Sequence, residues 1–165
     1  MKELFDKISS YNIFNYLLPG VVFVCIAKYF LQYNFVQEND LIGAFLYYFI
    51  GMIISRFGSV VIEPISRKFR IVEFAEYGDF ISASKQDNKI ELLSEVNNTS
   101  RTLISLFFIL LVLKGYESIE IHLKIPQQVS LFISIILILI LFIFSYRKQT
   151  AYITKRIHHY KSNTN

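Results

Sequence analysis

The chain has 165 residues, 53% hydrophobic and only 18% charged, with a mean hydropathy of +0.42. Soluble domains carry about a quarter charged residues, so the composition excludes an ordinary soluble domain; about four bilayer crossings would also leave too little chain for a separate catalytic domain. The formal charge of +4 and pI near 9.1 are read as Lys and Arg flanking apolar spans rather than as a nucleic-acid surface.

Residues 1–12 place Leu4, Phe5, Ile8 and Tyr11 at helical spacing opposite Lys2, Glu3, Lys7 and Ser10, which predicts an amphipathic helix lying in the interface. A cleaved leader fits poorly, because the following apolar stretch is long for a signal core. The first span is expected at 13–32, kinked at Pro19 and Gly20 by the missing backbone donor.

The second span is expected at 41–62. Its uncharged stretch stops at Ser55, so a full crossing carries Arg56 to membrane depth, and Glu63 with Pro64 closes it. Arg56 and Glu63 are seven residues apart, which on a regular α-helix puts them on one side, two turns apart. An ionisable side chain at that depth faces protein or water. Arg56 and Glu63, with Tyr47 and Tyr48 deeper in the span, are therefore candidates for a pore or its inner mouth; snorkelling of Arg56 to headgroups is the simpler alternative. Gly51, Ser55 and Ser59 recur every four residues with Gly58 beside them, a small-residue ridge suited to close helix packing, within the chain or between copies.

Residues 66–98 form a polar segment expected to be cytoplasmic and partly helical. The third span is the shortest apolar run, 12 uncharged residues between Arg101 and Lys114. It crosses only if it extends over 99–116 with Lys114 snorkelling; a re-entrant helix is the alternative. The fourth, 129–146, is 18 residues without a charge and apolar all round, matching a roughly 30 Å hydrocarbon core. A basic tail, 147–165, follows.

With both termini cytoplasmic, every basic residue except Lys28, Lys114 and Lys124 lies on the cytoplasmic side, which satisfies the positive-inside rule. The expected fold is thus all-α: a single integral membrane domain over 1–165, a four-helix bundle in a bacterial inner membrane. No catalytic, cofactor or metal site is expected. Cys25 is the single cysteine, His158 and His159 are adjacent and diverge on a helix, and no Gly-rich phosphate loop or nucleophile elbow is present.

The short amphipathic start, the stretch SSYNIFNYLLPG leading into the first span, the four spans and the modest cytoplasmic segment together resemble the small multi-span membrane proteins of bacterial anti-phage defence operons, such as the Hailong and Kiwa systems. The resemblance implies a homo-oligomeric effector, a tetramer for preference, held closed until a cytoplasmic partner or nucleotide signal opens it. Opening would depolarise the inner membrane and end infection by stopping the host. The alternative is a non-conducting membrane anchor or sensor that recruits a soluble partner through 66–100 and the tail. The lipid bilayer is a partner in either case; nucleic acid is not.

Overall fold

The computed structural model describes residues 12–162. Most of them are helical, and there is no strand among them. A π-helical turn, Ile13–Leu17, runs into α1 (Leu18–Phe30). A loop leads to α2 (Asp40–Phe57), a second π turn (Gly58–Ile62) and α3 (Glu63–Lys68). Next come α4 (Tyr77–Gln86), the long α5 (Lys89–Leu123) and α6 (Gln127–Ser162). The amphipathic helix expected at 1–12 lies, apart from Asn12, outside the described residues.

Both π turns precede a proline, Pro19 and Pro64, placed at the start of the next helix. Proline has no N–H and its ring crowds the carbonyl four residues back. Widening the preceding turn relieves this: Leu18 N–H reaches the carbonyl of Ile13, and Glu63 N–H that of Gly58. Pro19 is thus carried within a continuous helix, with the local change placed in the turn before it.

Local signals set the other ends. Asn39 caps α2, its Oδ1 accepting from the N–H groups of Leu41 at 3.0 Å and Ile42 at 3.1 Å. The Asp87 carboxylate accepts from Lys89 N–H at the start of α5. Lys124, at φ 51°, ends α5 in a left-handed turn closed by Ile125 N–H to the Glu120 carbonyl.

Helix α2 is central and packs on α1, α5 and α6. The core is built by Phe23, Val24, Ala27 and Leu31 from α1 and its end, Ile54 from α2, and Leu106 and Leu110 from α5. The α1–α2 contact is backbone to backbone: a Cβ on Gly20 would lie 1.7 Å from the Tyr47 carbonyl oxygen, and one on Gly51 1.7 Å from that of Tyr16. Helix α6 adds nothing to this core. It touches α2 through Phe142, stacked on Phe49, and leaves Leu131, Phe132, Leu137, Leu139 and Ile143 exposed.

Among the described residues, three helices are long and apolar enough to cross a membrane: Asp40–Lys68, Lys89–Leu123 and Gln127–Lys161. The first apolar helix, Asn15–Phe30, is shorter, about 24 Å at 1.5 Å per residue. The third helix, whose uncharged run is the shortest in the sequence, is continuous through both Arg101 and Lys114. Each of these charges has a partner within the protein: Arg101 meets Glu63, and Lys114 meets Glu117.

Candidate functional site

The polar side chains gather in three layers along the bundle. The middle layer joins the first π turn to α2 and α5. Asn15 Nδ2 donates to Ser55 Oγ at 3.1 Å, and Thr102 Oγ1 donates to Asn15 Oδ1 at 2.9 Å. All three residues are buried. Thr102 and Ser55 hydroxyls are 3.4 Å apart, and Thr102 also reaches the Asn98 carbonyl. In an apolar interior each of these groups needs a partner, so the triad fixes how three helices meet.

At one end lies a layer around Glu117 and Glu120. Glu117 is buried between Lys114 Nζ and the backbone N–H of Gln32, both at 2.7 Å. Tyr33 donates to Glu120, which also accepts from Ser130 at 2.6 Å, and Tyr116 donates to Ser130. This network ties the 31–39 loop to α5 and α6 around an open cavity of about 440 Å³. Burial, then the Glu120 carboxylate, pushes the Tyr33 phenol above its ordinary value, which keeps it a donor.

At the other end, Glu63 is 7% exposed and meets three cations. Arg101 Nη1 lies at 2.5 Å, Lys148 Nζ at 3.1 Å and Arg67 at 3.5 Å. They come from α5, α6 and α3, so one carboxylate joins three segments. Lys148 also donates to the Ser59 carbonyl at 2.6 Å. The Arg67 guanidinium lies over the Phe74 ring, 4.1 Å from its centroid. A buried carboxylate is costly unless paired and hydrogen-bonded, and Glu63 is both. Three cations around one carboxylate leave two positive charges over.

The second π turn explains why Glu63 faces this way and corrects one expectation. Seven residues of regular α-helix would align Arg56 with Glu63. The intervening π turn adds about one residue to the helix, a rotation of about 100°. Arg56 is half-buried and makes no ion pair among the described residues, whereas Glu63 turns toward α5 and α6. The two therefore do not share one side of the helix, as regular α-helical spacing would have it.

The remaining candidates have separate places. Tyr47 Oη accepts from Gln37 N–H at 3.3 Å, holding the 31–39 loop, and Tyr48 packs edge-on against Tyr16. The small-residue ridge is occupied within the chain: Gly51 by Tyr16 and Gly20, Ser55 by Asn15, and Gly58 by Arg101 and Ser105 of α5. The Ser59 carbonyl holds Lys148. Arg67, Arg101 and Lys148 were not legible as site residues in the sequence; the signal that pointed to them was the acidic Glu63 closing an apolar run.

The polar segment is anchored to this end. Tyr77 of α4 meets His159 of α6 edge-on, with ring centroids 6.3 Å apart, and Gly78 leaves room for that imidazole. Among the described residues no group of three His, Cys, Asp or Glu side chains is placed to hold a metal ion. No family model, curated protein or solved structure matches the chain.

Proposed function

We propose that the chain is a multi-pass inner-membrane protein with both termini cytoplasmic, assembling as a homo-oligomer and acting as a gated, membrane-depolarising effector of bacterial anti-phage defence. The observation that carries this reading is the Glu63 cluster at one end of the apolar helices. It works as a lock. Arg67 opens the polar segment and Arg101 follows its end, so a signal that moves α4 pulls on the partners of Glu63. Losing them would leave a buried charge unpaired and loosen α6, which is held to α2 by few other contacts.

The exposed Ile, Leu and Phe side chains of α6 support embedding in lipid. Because Gly51, Ser55 and Gly58 are already packed against α1 and α5, a contact between copies would use the α6 face instead of the ridge. The defence role draws on the overall plan of the sequence. Its test is membrane potential in bacterial cells, read with a voltage-sensitive dye. Wild type should leave the potential intact until triggered, and Glu63→Gln should depolarise without a trigger. Equal, undisturbed potentials in every Glu63 cluster variant would count against the effector.

A second reading, an anchor that recruits a soluble partner, is favoured by Leu92, Leu93 and Val96 at the polar start of α5 and by Ile153 and Ile157 on the tail. These are exposed apolar side chains beyond the apolar runs. Capture of a soluble partner by a chain that never conducts would select it.

A further inference from the structure

We infer that the small pocket beside Glu63 and Arg101 binds a phosphate group, presented as the headgroup of an anionic phospholipid. The pocket has a volume of about 70 Å³. A water needs about 10–15 Å³ of such space, so the pocket takes a small polar group of a few waters' size. Its polar lining is Glu63 and Ser66 from α3 and Asn97, Ser100 and Arg101 from α5. Ile62 and Ile104 line the side toward the apolar stretches of α2 and α5. Val72 and Phe74, from the segment after α3, complete the lining, so the pocket offers both polar and apolar contacts, as a headgroup with its glycerol and acyl chain requires.

Three observations point to an anion. The corner holds three cations for one carboxylate. The Glu63 charge is already taken up by Arg101, Lys148 and Arg67, so it opposes an incoming anion weakly. Finally, Arg101 Nε is buried and makes no hydrogen bond among the described residues, although Nη1 of the same guanidinium is committed to Glu63. A buried donor without a partner asks for an acceptor; Nε is closed to water, so a phosphate oxygen meets it only when Arg101 turns that edge of its planar guanidinium into the pocket. Arg67 does not line the pocket, but its guanidinium lies over Phe74, which does, and adds a second cation nearby. Basic pockets between helices at the cytoplasmic face are where anionic headgroups bind.

The lipid source rests on the membrane reading above; the phosphate chemistry of the pocket does not. The test is thermal unfolding of the full chain in non-ionic detergent, with short-chain phosphatidylglycerol, short-chain phosphatidylcholine, inorganic phosphate, and sodium chloride at matched ionic strength. Phosphatidylglycerol should raise Tm saturably, by about 5 °C at saturation, and more than phosphatidylcholine does. Ser66→Leu, which fills the pocket and leaves the ion cluster in place, should abolish the shift. Arg101→Lys, which keeps the charge and removes Nε, should weaken binding about tenfold, the worth of one charge-assisted hydrogen bond. A shift from inorganic phosphate equal to that from the lipid would support the site and overturn the lipid as its source. No shift beyond that of sodium chloride, or a shift that Ser66→Leu keeps, would overturn the site. A chain that stays dispersed without detergent would sink the membrane reading and leave the phosphate arm readable.

Discussion

Glu63 and Arg101 meet at 2.5 Å, joining the end of the second apolar helix to the start of the third apolar run. Lys148 and Arg67 close on the same carboxylate. A hub of this kind predicts unequal costs. Glu63→Ala leaves three cations without their counter-charge and should cost about 3–5 kcal/mol. Lys148→Met removes one of three partners and should cost about 1–2 kcal/mol. Thermal or denaturant unfolding in detergent compares them, and equal losses would show that Glu63 is not the hub.

The crossing of α1 and α2 at Gly20 and Gly51 should tolerate no side chain. A methyl group on either would sit 1.7 Å from a carbonyl oxygen of the facing backbone, which cannot turn aside as a side chain can. Gly20→Ala or Gly51→Ala should cost about 3 kcal/mol or more. Gly115 on α5 is the control, since a methyl group there would meet nothing within 4 Å; Gly115→Ala should be neutral or stabilising by up to about 1 kcal/mol. Unfolding midpoints of the three variants decide it.

The Asn15–Ser55–Thr102 triad should behave as one unit. A double-mutant cycle with Asn15→Ala and Thr102→Val should show coupling of about 0.6–1.7 kcal/mol, the range for hydrogen bonds between helices in membranes. Additive losses would mean that the two side chains act independently in spite of their 2.9 Å contact.

Tyr33 predicts an alkaline limit on stability. Burial and Glu120 raise the folded-state value of its phenol, so above pH about 10 the unfolded chain loses a proton that the folded protein retains. The contribution is fully present below that pH and falls away as pH rises further. Tyr33→Phe should flatten the decline between pH 9 and 11, approximately. An unchanged slope in unfolding midpoint against pH would remove Tyr33 as its source.

The helices were legible where apolarity alone decides them, as in the uncharged run 129–146 within α6. The third helix was less so, because Arg101 and Lys114 interrupt its run; their charges are met by Glu63 and Glu117, which spacing along one helix does not reveal for Arg101. Glu63 stood out by its place at the end of a span. Its partners Arg101 and Lys148 come from other helices, and its direction depends on a π turn that α-helical periodicity does not anticipate. Pro19 and Pro64 marked both π turns, though read only as a kink and a helix end.

The most direct test of the Glu63 lock is ion flux from liposomes loaded with a potassium-sensitive reporter and carrying purified protein. Wild type should hold its gradient, while Glu63→Gln should leak ions at a rate at least tenfold higher, about 1.4 kcal/mol in the closed–open balance. Glu63→Gln vesicles as tight as wild type, with the variant inserted and folded, would show that Glu63 locks nothing.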